Sequence, residues 1–219
     1  MATNETGVMY LERQRLLFAN GVATMQLDFT PEMIRDLDVV DQELLTKTLL
    51  DFIEKNKVPP GNFVMILPQS VLFVNETPET DPVKVEAQMN EFMSFVPFDE
   101  TLSKQYQTKN GLRMVAANGG FIDAIRDTFA VRGIGCGGVV PASIFGTDEP
   151  GGLSAEMIDT VLKNDELIRG ASMVEASVAT QQEGSTNTTK PTPSKLPLLF
   201  GVFAFLILAL IVTIFLVKR

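Results

Sequence analysis

Cys136 lies among glycines, in Gly133-Ile134-Gly135-Cys136-Gly137-Gly138, and a thiol in such a loop could act as a nucleophile. A thiolate attacks well when a base or cation lowers its pKa, and histidine is the usual base. The 219 residues contain no histidine. Cys-His and Ser-His-Asp arrangements are thereby excluded, together with most zinc sites. Cys136 is read as a small buried residue. The same glycines lack the Gly-Lys-Ser/Thr ending of a phosphate loop and lead into a strand rather than a helix. Asp36, Asp38, Asp41 and Glu43 are spaced loosely like a calcium loop, without its central glycine or a closing glutamate in register. They read as a solvated helix entry. Asn75-Glu76-Thr77 and Asn187-Thr188-Thr189 match the glycosylation pattern, which a cytoplasmic domain would not meet. No cofactor is expected.

Phe92, Met93, Phe95 and Phe98 crowd one helix end, where core packing is the default reading. Exposure of Phe95 or Phe98 would instead offer a surface for a partner's peptide.

The elements that position these groups can be read from hydrophobic period and turn chemistry. Gly7 to Phe29 reads as two strands about the turn Ala19-Asn20-Gly21. Asp41 to Asn56 is an amphipathic helix with Leu45, Leu49, Phe52 and Ile53 on one stripe and Asp41 as its cap. Phe63 to Leu67 is a continuous apolar run, as in a strand covered on both faces. Pro68 breaks it, and a second strand starts at Val71.

Asp81 to Glu100 is a helix capped by Asp81, with Pro82 at its first position, stopped by Pro97. A polar strand, a turn at Asn110-Gly111, the strand Leu112 to Ala117 and a helix ending at Gly133 follow. An extended strand and one last helix, Gly152 to Gly170 with Met157, Val161 and Leu162 inward, complete an α/β body of two small lobes.

Residues 171–195 are polar, small and proline-containing, and read as a flexible linker. Residues 196–217 are apolar and carry no charge between Lys195 and the closing Lys218-Arg219. About 20 residues at 1.5 Å rise span the roughly 30 Å hydrocarbon core of a bilayer. A single transmembrane helix is therefore expected, with Lys195, Lys218 and Arg219 marking the membrane boundaries. The opening residues lack a basic region followed by an apolar run, so no secretory signal is read and the body is placed in the cytoplasm. The expected location is the inner (cytoplasmic) membrane.

Net charge is −9, and all 27 acids precede Lys190 with 14 of the 18 cations, a balance of 14 − 27 = −13 for that portion. Such a body repels nucleic acid and anionic headgroups, and its partners should be proteins. Self-association is left open.

The order of "FVMILPQSVLFVNETPE", "FMSFVPFDE", "LRMVAANGGFIDAIRDTFAVRGI" and "VVPASIF" resembles the front half of the PilM-like pilus-assembly proteins, in the actin-like family with FtsA. The resemblance covers about Met9 to Phe145. It implies half of an actin-like fold over residues 1–170, with a small α+β lobe inserted at about 71–140. In that family a helix ends in an aliphatic-Pro-Phe signature, matched by Val96-Pro97-Phe98. The family's binding of a neighbour's cytoplasmic tail makes Phe92, Phe95, Pro97 and Phe98 the implied partner-groove residues.

The family's first hairpin carries an Asp- and Gly-rich turn that cradles ATP phosphates. Here MYLERQRLLFANGVATMQL offers no Asp-Gly pair. The second half of the actin-like fold has a linker and anchor in its place, so no nucleotide hydrolysis is expected. The layout also resembles GspL-type secretion proteins, which tie a cytoplasmic actin-like region to one membrane helix. The resulting expectation is a non-catalytic, membrane-anchored adaptor of a type IV pilus or type II secretion inner-membrane platform. The alternatives are a nucleotide-dependent assembly factor that completes its ATP site with a partner chain, and a cell-division membrane tether.

Overall fold

A computed structural model of the chain describes residues 6–21, 23–146 and 152–174. All of these belong to the first of two compact units, residues 1–181 and 182–219. The expected linker beyond residue 174 and the expected membrane segment, with Lys195, Lys218 and Arg219, lie outside the described residues. Among the described residues no helix is long and apolar enough to cross a membrane.

The chain opens with β1 (Thr6–Leu11), β2 (Arg15–Ala19) and β3 (Thr24–Asp28). The expected hairpin of two strands is thus a meander of three. Its missed turn is Glu12-Arg13-Gln14, closed by the Glu12 N–H donating to the Arg15 carbonyl at 2.8 Å. The expected Asn20-Gly21 turn joins β2 to β3, and Gly21 holds φ at +83°.

Two short strands, β4 (Ile34–Arg35) and β5 (Asp38–Val39), lead into α1 (Gln42–Lys55). The Asp41 carboxylate accepts the Leu44 N–H at 2.8 Å, the expected cap. β6 (Gly61–Leu67) is the apolar run, and a helical turn at Gln69–Val71 delays the next strand, β7, to Phe73–Thr77. Next are α2 (Pro82–Ser94), β8 (Thr101–Thr108), β9 (Gly111–Asn118), α3 (Gly119–Val131) and β10 (Ile134–Pro141). The expected last helix is two, α4 (Ala155–Lys163) and α5 (Asp165–Ala171), broken at Asn164. Leu162, expected inward, is 46% exposed, because it stands about 100° round α4 from the buried Val161.

The main sheet has the order β10-β6-β1-β2-β3. β6 runs parallel to both β1 and β10, and the β1-β2-β3 meander is antiparallel. Strand alternation explains why Phe63 to Leu67 is apolar throughout. Phe63, Met65 and Leu67 face α1 and α3, while Val64 and Ile66 face α4 and α5. β1 divides in the same way, Met9 and Leu11 against Val8 and Tyr10. Cys136 lies in the first of these layers, 1% exposed, and burial pushes its thiol pKa up.

The small lobe is narrower than expected. Its sheet, β7-β9-β8, with α2 on one face, occupies residues 73–118. α3 packs on α1 and β10 instead, because Phe121, Ile122, Ile125 and Phe129 complete the main core.

Tyr10 is fully buried, and its hydroxyl has no hydrogen-bond partner among the described residues. A buried unpaired hydroxyl costs about 1–3 kcal/mol. Tyr10→Phe is therefore expected to raise stability by about 1 kcal/mol in urea denaturation followed by circular dichroism. A loss of stability would mean that the hydroxyl is satisfied.

Candidate functional site

The implied partner-groove residues sit where α2 ends. The Phe95 N–H donates to the Phe92 carbonyl at 3.1 Å and the Val96 N–H to the Met93 carbonyl at 3.2 Å. Pro97 has no N–H to continue the pattern. The four residues do not share one groove. Phe92 is in the small-lobe core with Val85, Met114 and Ala116. Phe98 is half-buried and meets Phe73 edge-on, with ring centroids 5.4 Å apart. Phe95 is 73% exposed, and Pro97 is exposed beside it. Glu91, Asp99 and Glu100 are exposed within a few residues of that ring. The helix end thus presents an apolar side chain in acidic surroundings, which suits a partner segment carrying both apolar and basic groups.

The acidic run does not converge on one centre. The Asp41 carboxylate caps α1, and that of Asp38 accepts from the Asn118 amide at 2.7 Å. Asp36 and Leu37 turn the β4-β5 hairpin with φ of +51° and +71°. A leucine in that region is strained. The Asn118 amide also donates to the Leu37 carbonyl at 3.1 Å, while its carbonyl oxygen caps α3 through the Phe121 N–H at 3.1 Å. One side chain thus holds the turn and starts the helix.

The turn that was not foreseen, Glu12-Arg13-Gln14, borders a cavity of about 770 Å³. Arg13, Arg15 and Arg35 line it with Glu12, Asp28 and Asp36, over Phe29, Ile34 and Leu37. Its charges are partly committed. The Arg13 guanidinium donates to the Ser70 carbonyl at 2.6 Å, and Arg15 pairs with Glu12, which raises the arginine's pKa. The run Leu11-Glu12-Arg13-Gln14-Arg15 carries no Gly, Asn or Pro to mark a turn.

A third arrangement lies where α5 ends. Lys104 of β8 donates to the Gly170 and Ser172 carbonyls at 2.7 and 2.6 Å, and the Tyr106 hydroxyl donates to the Ala171 carbonyl at 2.8 Å. A cation at a helix C-terminus satisfies carbonyls that the helix leaves open. The next residues join the sheet edge. The Met173 N–H donates to the Val139 carbonyl at 2.8 Å, and the Val139 N–H donates to the Ser172 hydroxyl at 3.1 Å. Gly138 permits this approach, since a Cβ there would lie 2.9 Å from Ile168 Cγ2. Ala171, expected as the first linker residue, is therefore buried, and Met173 is 9% exposed.

Together these features define a mixed α/β protein with a partly parallel sheet sandwiched between helices and a small second sheet. No protein-family model matches the chain, and no curated protein does. Several solved structures match in part, two of them as follows. One is the PilM-PilN type IV pilus biogenesis complex, at 14% identity and a TM-score of 0.41, over 63% of this chain and 46% of that one. The other is the cytoplasmic domain of EpsL, an inner membrane component of the type II secretion system of Vibrio cholerae, at 13% identity and a TM-score of 0.40, over 67% of this chain and 58% of that one. The chain spans about half the length of these structures. They are the two kinds of protein that the sequence resembles.

Proposed function

We propose that this protein is a membrane-tethered, non-catalytic adaptor of a type IV pilus or type II secretion inner-membrane platform. Its folded domain lies on the cytoplasmic face, and residues 196–217 span the bilayer. The supporting observation is the seam at the end of α5. Three carbonyls there are gripped by Lys104 and Tyr106, and Ser172 and Met173 are bonded to Val139 of β10. The polar sequence from residue 175 onward leads from this fixed exit to the apolar run. A load on the tether would reach both the main sheet and β8. The exposed Phe95 with its acidic neighbours is the surface offered to a platform protein.

Deleting residues 196–219 should move the protein from the membrane pellet to the supernatant after a high-salt wash. A truncated chain that still pellets would end the anchoring reading.

The arginines around the cavity at Glu12-Arg13-Gln14 favour a second reading, an anionic ligand completed by a partner chain. Titration calorimetry with ATP and Mg²⁺, with and without candidate partner proteins, separates the two. A saturable heat from the chain alone would overturn the adaptor-only view.

A further inference from the structure

β3 is the outermost strand of the main sheet, and among the described residues no strand pairs with its outer side. The opposite edge, β10, is closed by Ser172 and Met173. Natural edges are usually guarded by lysine, proline or a bulge. The strand Thr24-Met25-Gln26-Leu27-Asp28 has no lysine or proline, and its pairing with β2 runs without a register shift.

The direction of its free backbone groups follows from the ladder. The Phe29 N–H donates to the Gln14 carbonyl, and the Asn20 N–H to the Ala23 carbonyl. In an antiparallel pair, bonded and non-bonded positions alternate. Met25 and Leu27 therefore bond inward to Phe18 and Leu16, the residues opposite them. The N–H and C=O groups of Thr24, Gln26 and Asp28 point outward. These three residues are also the exposed ones of the strand, while Met25 and Leu27 lean on the core.

We propose that this edge pairs with the same edge of a second copy of the chain, antiparallel about a two-fold axis at Gln26. That axis sets Gln26 opposite its own copy and Thr24 opposite Asp28. All three pairs are of the hydrogen-bonded kind, so every outward backbone group is used. The charge pattern fits itself. The one ionised residue of the strand meets a threonine hydroxyl rather than a like charge, which directly opposite would be unfavourable. Within each copy, the Asp28 carboxylate accepts from the Gln26 amide at 2.7 Å and lies opposite Arg15 on β2. The assembly is a closed C2 pair, since each copy spends the one main-sheet edge left open among the described residues. This pairing does not depend on the membrane segment.

The test is the oligomeric state of the full chain in mild detergent, by sedimentation over a range of concentrations. The wild type should show a monomer–dimer equilibrium. Gln26→Pro removes an outward N–H and takes no bond from the β2 ladder, a place where an edge strand tolerates proline, and it should weaken the dimer at least tenfold with an unchanged circular dichroism spectrum. Gln26→Lys and Gln26→Glu should each weaken it, and an equimolar mixture of the two should recover the dimer, which damage to the fold cannot imitate. In a Cys136→Ala chain, Gln26→Cys should cross-link to itself through a short bismaleimide, and Glu43→Cys should not. A wild type that stays monomeric throughout, or a dimer indifferent to every change at position 26, overturns the proposal.

Discussion

Phe129→Ala should remove about 3–5 kcal/mol of stability, a large share of what a domain of this size holds. Phe129 is fully buried, and its ring lies 5.2 Å from that of Phe63 and 5.8 Å from that of Phe18, centroid to centroid. Phe18 and Phe63 also meet edge-on at 6.4 Å. Phe18 and Phe63 stand on strands β2 and β6, and Phe129 comes down on them from α3. Truncation to a methyl group would leave a cavity that three rigid elements cannot collapse to fill. Phe129→Leu should cost much less, because most of the volume stays. Phe95→Ala is the internal control. The same deletion on a ring that is 73% exposed should leave stability almost unchanged. Urea denaturation of the three variants, followed by circular dichroism, gives the comparison. A loss below about 1 kcal/mol for Phe129→Ala would mean that α3 is not what covers this face of the sheet.

The ease of reading an element followed the range of the forces that make it. α1 and α2 were legible because cap, stripe and stop lie within one segment, and Asp81-Pro82 is a local signal in itself. β6 was legible because a strand covered on both faces leaves no polar position. The turn at Glu12-Arg13-Gln14 was not. It is closed by an ion pair and a backbone bond between residues that suit a strand equally well. Leu37 could not be foreseen in a left-handed conformation, since the Asn118 amide that holds the turn comes from 81 residues away. Ser172 to Val174 read as linker by composition alone, and they are ordered by an edge of β10 and a lysine of β8 that no local pattern announces.

The same reasoning divides the implied groove. Phe92, Phe95, Pro97 and Phe98 are neighbours in sequence, but the end of α2 falls between them. Phe92 is directed inward by the helical period, Phe98 by its contact with Phe73, and Phe95 by neither. Sequence proximity located the helix end correctly and could not say which ring would face water.

Gly111→Ala should be nearly as costly as loss of the aromatic core, by a different route. Gly111 pairs with Thr108 across the β8-β9 turn and holds φ at +140°. A Cβ there would lie 2.1 Å from the Thr77 carbonyl oxygen and 2.7 Å from Pro78 Cα. Both are backbone atoms, so β7 would have to separate from β9. The expected cost is about 3 kcal/mol or more, combining backbone strain with a broken ladder. Gly21→Ala isolates the conformational part. That residue holds φ at +83° with nothing within 4 Å of the added carbon, so it should lose only about 1 kcal/mol. The chain has two tyrosines and no tryptophan, so in a Tyr10→Phe background Tyr106 of β8 is the only strongly fluorescent reporter. It sits in the sheet that Gly111→Ala opens, and its hydroxyl holds the Ala171 carbonyl. If the small lobe and the end of α5 share one cooperative unit, the fluorescence and circular dichroism transitions should shift together. Equal losses for the two glycine variants would remove the steric argument. A fluorescence transition that moves alone would show that β8 can let go of α5 while the main sheet stays folded.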